Sequence, residues 1–227
     1  VTEAIDATEL DEPAAARVLL VDDHDLFRTG LRNLLQDQGV DVVGEAASGN
    51  EALGLVRDLA PDVVVMDLNM PGMTGVEATR QVAVIAPLTR VLVLTISDQD
   101  ADVMDAILAG ASGYLLKDSS IQELLQGIRS AAIGESLISP HIAAKVLQRV
   151  RASSTSPEIA DTIRSELSDR EVQVLKLIAN GTDNAQIAAE LHISPKTVKN
   201  HISNILMKLQ IDNRIQAAVY AVRSGIV

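Results

Sequence analysis

The chain has no cysteine and no tryptophan, which excludes a disulfide framework and any thiolate metal centre. Its four histidines, His24, His141, His192 and His201, are scattered and show no metal-ligand spacing. Aromatic residues are nearly missing: Phe27, Tyr114 and Tyr220 are the whole set, so any core has to be aliphatic. No apolar run reaches the roughly 18 residues of a membrane-spanning helix. No charged, then apolar, then small-residue succession marks a secretory signal. A soluble cytosolic protein with no membrane partner is therefore expected. The opening on Val1 reads as a truncated or processed start. Residues 1–16 hold five acids, no base and no periodicity, and read as a disordered acidic tail.

What is present is ample aliphatic material. Hydrophobic residues make up 47% of the 227 positions, enough for two domains with a core each. The net charge of −12 argues against a nucleic-acid partner only until it is divided along the chain. Residues 1–138 carry 23 acids against 8 bases, whereas residues 139–227 carry 8 acids against 11 bases. The second part can approach DNA; the first would be repelled by it.

From Arg17 to Ile133, short β-rich runs alternate with helical stretches. Arg17–Val21, Val40–Glu45, Asp62–Asp67, Arg90–Thr95 and Gly113–Leu116 read as strands. Val63 to Met66 and Val91 to Leu94 are unbroken apolar runs, as in parallel strands covered on both faces. Helices begin near Asp25, Ser48, Thr74, Gln99 and Ser120, the last with Glu123 completing a capping box. The expected fold is a doubly wound five-stranded parallel α/β sheet over 17–138, with its working residues at the carboxyl ends of the strands. A helix from Pro140 to Val150 and a Ser/Thr-rich linker complete 139–164. Residues 165–227 read as a small all-α domain of short helices opened by Ser168, Asp183, Ser194 and Asn213.

Acids stand at two strand ends, Asp22 and Asp23 after the first and Asp67 closing the third, while Thr95 ends the fourth and Lys117 follows the fifth. The first and third strands neighbour each other in such a sheet. Three carboxylates therefore converge, which is unfavourable unless a cation neutralises them. Mg²⁺ suits the hard oxygen donors. The set fits an aspartate, Asp67, that accepts a phosphoryl group while Mg²⁺ and Lys117 compensate its charge and Thr95 supplies a hydroxyl. Asp67 alone would more often be a helix cap; its joint occurrence with the others carries the reading.

Val21-Asp22-Asp23-His24, Met66-Asp67 through Thr74-Gly75, and Gly113 to Lys117 resemble a bacterial response-regulator receiver domain. The resemblance implies that Asp67 is the phosphoacceptor, that Asp23 and Asp67 bind Mg²⁺ directly, that Asp22 holds its water shell and that Asn69 adds its backbone carbonyl. It also implies that Thr95 and Tyr114 are the switch pair, the ring moving inward behind the hydroxyl. Two residues depart from the usual pattern: Asp118 follows Lys117 in place of proline, and bulky Ile96 follows Thr95, narrowing the approach of a phosphodonor.

At 100° per residue, Val198, Ile202, Ile205 and Leu209 share one face of the helix that starts at Ser194. Opposite lie Lys196, Lys199, Asn200 and Ser203, with no acid among them. Residues 167–171, 187–191 and 194–209 resemble a LuxR-type helix-turn-helix domain, and with the receiver the whole chain resembles a NarL/FixJ-family response regulator. By that resemblance Lys196, Lys199, Asn200 and Ser203 face base edges. Thr197, His201 and Lys208 are placed for phosphates, although His201 reads equally as a packed flank residue. Ala185-Gln186 replaces a basic residue and Glu, which removes one backbone contact. The implied partners are a sensor histidine kinase, an operator duplex, RNA polymerase and, in the active state, a second copy of the chain. The implied role is transcription control by phosphorylation of Asp67, without an enzymatic turnover of its own beyond self-phosphorylation and autodephosphorylation. Two rivals are a regulator that ignores phosphorylation and a Mg²⁺-dependent aspartyl-phosphate phosphatase. The second would usually carry an acid at the position of Asn69 and has no need of the basic helix.

Overall fold

The computed structural model describes residues 15–97, 99–138, 142, 146 and 166–226. The acidic tail, the linker and all but two residues of the helix expected over 140–150 lie outside this set. Those two, Ile142 and Val146, are helical and buried.

The first domain alternates β1 (Arg17–Val21), α1 (Asp25–Asp37), β2 (Asp41–Ala46), α2 (Gly49–Leu59), β3 (Val63–Met66), α3 (Gly75–Ile85), β4 (Arg90–Thr95), α4 (Asp100–Leu108), β5 (Gly113–Leu116) and α5 (Ile121–Ala132), with β6 (Leu137–Ile138) after them. The strands form one parallel sheet in the order β2-β1-β3-β4-β5-β6. The expected doubly wound sheet is present, with a two-residue edge strand added beside Gly113 and Tyr114. Successive strand residues point to opposite faces. Val18, Leu20, Val63 and Val65 meet Leu31, Leu35, Leu124 and Ile128 from α1 and α5. Leu19, Val21, Val64 and Met66 meet Ala52, Val56, Ala78 and Val82 from α2 and α3. The central strands β1, β3 and β4 are buried on both faces, as their unbroken aliphatic runs require.

Helix starts follow the capping chemistry in the sequence. Ser48, Thr74 and Ser120 accept hydrogen bonds from the backbone N–H groups of Glu51, Glu77 and Glu123, and α1 and α4 begin without a side-chain cap. Gly75 opens α3 because nothing larger fits. A Cβ there would lie 2.0 Å from the Asp67 carbonyl oxygen and 2.7 Å from Leu68 Cα. This close approach presses the 67–75 loop onto the helix start and fixes where Asp67 sits.

The second domain comprises α6 (Asp169–Ala179), α7 (Asn184–Leu191), α8 (Pro195–Leu209) and α9 (Arg214–Arg223). Ser168, Asp183, Ser194 and Asn213 cap them. Its core of Val174, Leu175, Ile187, Val198, Ile205, Ala217 and Ala221 runs on without a break into Val103, Met104, Ile107 and Tyr114 of the first domain. The join is also polar. Asn213 uses its Oδ1 to cap α9 and donates from Nδ2 to the Ala111 carbonyl at 3.0 Å. Gln216 donates to the Ile107 carbonyl at 3.0 Å.

Candidate functional site

Asp22, Asp23 and Asp67 meet at the carboxyl ends of β1 and β3, as their places in the sequence require. Asp22 and Asp67 are buried, and Asp67 is only 2% exposed. Asp22 Oδ1 accepts from the backbone N–H of His24 at 2.8 Å. Asp67 Oδ1 accepts from the backbone N–H of Asn69 at 3.4 Å. Lys117 reaches in from the end of β5 and bridges the two acids, its Nζ 2.6 Å from Asp22 Oδ2 and 2.8 Å from Asp67 Oδ2. Burial works to lower the Lys117 pKa, but the hydrogen bonds and charges of Asp22 and Asp67 outweigh it and hold the group above its ordinary value.

Asp23 is different. Its Oδ1 is buried without a hydrogen-bond partner, with the His24 imidazole nitrogen 3.0 Å away. One donor atom each from Asp22, Asp23, His24 and Asp67 falls within 4.8 Å of the others. His24 is thus a member of the acidic cluster, although its distance in sequence from the other histidines gave no metal-ligand spacing. The signal was its adjacency to Asp22 and Asp23, because a strand end folds three consecutive residues around one point.

Thr95 is fully buried beside the cluster, its Oγ1 accepting from Asn69 Nδ2 at 3.5 Å and from the Ser97 N–H at 3.4 Å. The Tyr114 ring, expected to move inward, stands inward here, wholly buried with its hydroxyl donating to the Ser97 carbonyl at 2.8 Å. Thr95 and Tyr114 therefore share the Ser97 backbone. Ile96 points to solvent at 74% exposure, and Asp118 is exposed.

On α8 the expected division of faces is present. Val198, Ile205 and Leu209 are buried, while Lys196, Lys199, Asn200 and Ser203 are exposed. Lys199 Nζ lies 3.4 Å from Glu135 Oε1, just beyond α5. Glu135 also accepts from Asn184 Nδ2 at 3.1 Å, and Arg214 donates to Asn184 Oδ1 at 2.6 Å. Burial lowers the Arg214 pKa against the opposing charges of Glu135 and Asp183. Thr197 is half-buried and shares a 2.8 Å hydrogen bond with Ser194 Oγ, and His201 is half-buried.

Lys208, placed for a phosphate by the sequence, has its ammonium 2.7 Å from Glu171 Oε2. Glu171 is 4% exposed and also accepts from the N–H and hydroxyl of Ser168. Burial alone would raise the Glu171 pKa, but Lys208 and Ser168 bring it below the ordinary 4.5. Above pH about 4.5 this carboxylate therefore stabilises the domain, and the contribution is lost as the pH falls through the lower folded value. Lys208→Ala leaves a buried carboxylate without its cation and should cost about 1–3 kcal/mol of stability. Urea unfolding at pH 7 measures this, and the difference from the unsubstituted chain should shrink toward pH 3. A purely DNA-contacting Lys208 would leave the urea midpoint unchanged.

The chain matches two protein families. Residues 18–129 match the response regulator receiver domain, and residues 165–221 match the bacterial regulatory proteins of the luxR family. The transcriptional regulatory protein LiaR of Bacillus subtilis (strain 168) is 44% identical over 212 residues, covering 93% of this chain and 99% of LiaR. The chain is a NarL/FixJ-family response regulator. The crystal structure of the response regulator ChrA of a heme-sensing two-component system resembles the regulator with 36% identity and a TM-score of 0.52, over 94% of this chain and 99% of ChrA. A structure of two RcsB dimers bound to two parallel DNAs resembles it with 25% identity and a TM-score of 0.55, over 92% and 98% of the two chains. The regulator thus joins a receiver to a LuxR-type DNA-binding domain, and its relatives are transcriptional regulators of two-component systems. Among the described residues no helix is long and apolar enough to cross a membrane.

Proposed function

We propose that the regulator takes a phosphoryl group from a sensor histidine kinase on Asp67, and that this modification governs dimerisation and binding to a DNA operator in the cytoplasm. The observation that carries the reading is the buried Asp67 carboxylate with the Lys117 ammonium 2.8 Å away and the Thr95 hydroxyl on the same rim. In the transfer, an Asp67 carboxylate oxygen forms a bond to phosphorus. The bond from phosphorus to the kinase histidine nitrogen breaks, and its electron pair stays on that nitrogen. Lys117 moves its attraction from the carboxylate to the phosphoryl oxygens, and Thr95 offers its hydroxyl to one of them. The regulator is an acceptor in this reaction and needs no turnover chemistry of its own.

The acidic cluster fits a divalent cation, because three carboxylates converge there and the buried Asp23 oxygen, which makes no hydrogen bond, has only the imidazole nitrogen of exposed His24 beside it at 3.0 Å. Mg²⁺ would be held by Asp23 and Asp67 with the Asn69 carbonyl, Asp22 acting through water, and would supply charge neutralisation for the transferring group. Asp23→Ala should therefore abolish the Mg²⁺ dependence of phosphorylation, and Asp22→Ala should weaken it less. Mg²⁺ titration of both variants checks this; equal, undiminished affinity in the two would move the ion elsewhere.

The DNA-binding reading is supported by the acid-free outer face of α8, where Lys196, Lys199, Asn200 and Ser203 are exposed. Control by phosphorylation is supported by the contact of Lys199 with Glu135 and by the seam from Tyr114 through α4 to α9. A phosphoryl group adds about −1.5 to −2 charges. It can reach α8 only through an element with two arrangements, and Thr95 with Tyr114 is that element. With beryllofluoride as phosphoryl mimic, sizing should show a shift from monomer to dimer and a gel shift should show tighter operator binding. No change in either would favour a regulator that ignores phosphorylation.

A further inference from the structure

Lys117 has a third neighbour besides its two carboxylates. Its Nζ stands 4.5 Å from the centroid of the Phe27 ring, well within the reach of a cation–π attraction. Phe27 lies on the first turn of α1, half-buried, and lines the same small cleft as Asp22, Arg28 and Asp67. It is the one phenylalanine of the chain. We propose that Phe27 is a positioning residue for phosphoryl transfer, its ring face holding the Lys117 ammonium where the incoming phosphoryl oxygens need it. The inference rests on Asp67 being the acceptor.

Lysine carries its charge on a flexible four-carbon stem. Two carboxylates fix the ammonium here, but both change as the site works: Asp67 gives an oxygen to phosphorus, and Asp22 belongs to the cluster that a cation would share. The ring keeps its charge distribution throughout. It also has little competition from water, because the Lys117 side chain is 11% exposed, and cation–π attraction strengthens with desolvation. Phe27 packs in addition against the aliphatic layer of Leu31 and Leu35, so a core role has to be separated from an electrostatic one.

The single phenylalanine permits that separation. Supplying 4-fluoro-, 3,5-difluoro- or 3,4,5-trifluorophenylalanine in place of phenylalanine during expression alters residue 27 alone. Each fluorine withdraws charge from the ring face with little change of shape. With acetyl phosphate as donor and saturating Mg²⁺, the Asp67 oxygen bonds to phosphorus while the bond from phosphorus to the acetate oxygen breaks and its electron pair leaves with acetate. The rate of that step should fall with each added fluorine, by about three- to ten-fold across the series, at an unchanged urea midpoint. Phe27→Trp should retain the rate and Phe27→Leu should lose it to a similar extent as the trifluoro ring. A rate constant within the scatter across the fluorine series, in protein that phosphorylates normally, overturns the proposal. A second measurement is independent of phosphorylation: the single ¹⁹F resonance of the 4-fluoro protein should shift when Lys117→Met removes the cation. An unmoved resonance overturns the contact itself. A shifted resonance in protein that never accepts a phosphoryl group would instead overturn the acceptor reading, and with it the role assigned to Phe27.

Discussion

Asp67→Asn should reduce phosphoryl uptake from acetyl phosphate to background, the largest single effect expected anywhere in the regulator. The amide has nearly the same shape but no nucleophilic carboxylate oxygen. The fold should tolerate it, because Asp67 Oδ1 accepts one long hydrogen bond, 3.4 Å from the Asn69 N–H, and Lys117 keeps Asp22 at 2.6 Å. Intact-mass or radiolabel measurement should show one acid-stable, base-labile group on the unsubstituted chain and none on the variant. Labelling at the original level in Asp67→Asn would assign the acceptor to another residue. It would also remove the reason for the buried convergence of Asp22, Asp67 and Lys117.

The second large effect belongs to α8. Lys199→Ala or Asn200→Ala should cost about 1–3 kcal/mol on the operator and relax preference at the contacted base pair, with a smaller loss on scrambled DNA. Both side chains are exposed on the face opposite Val198, Ile205 and Leu209, and a lysine or asparagine there can reach hydrogen-bonding base edges. The comparison should be made on beryllofluoride-treated protein, since Lys199 is otherwise 3.4 Å from Glu135. Titrations of operator and scrambled duplexes at several salt concentrations separate base reading from phosphate contact. Equal weakening of both duplexes, with operator preference unchanged, would mean that other residues read the sequence.

Much of this was legible because it is local. Apolar runs such as Val63 to Met66 announce a strand covered on both faces, and Ser120 with Glu123 or Ser168 with Glu171 announces a helix start within four residues. The rim of Asp22, Asp23, Asp67, Thr95 and Lys117 was legible for a related reason: each stands at a strand end, and the winding of a parallel sheet carries those ends to one side. What escaped depends on partners far apart in the chain. That Lys208 also pairs with Glu171, 37 residues earlier, has no local signal in the sequence. Strand β6 is two residues long and has no pattern of its own; only its pairing with Gly113 and Tyr114 makes it a strand. Phe27 looks like an ordinary apolar residue of α1, and its place over Lys117, 90 positions later, is a product of the sheet order.

The pairing of Lys199 with Glu135 makes the receiver an internal competitor for the helix that would meet DNA. Glu135 is tethered to Lys199 and meets it at a fixed effective concentration, whereas an operator must be supplied from solution. A lysine held by that carboxylate, 3.4 Å away, is one that the base edges of an operator would have to win from Glu135. The closed regulator should consequently bind an operator more weakly than a Glu135→Gln variant does, with a smaller difference between the two on scrambled DNA. Phosphorylation, on this view, restores discrimination along with affinity, so the resting regulator differs from the activated one in what it can read as well as in how tightly it binds.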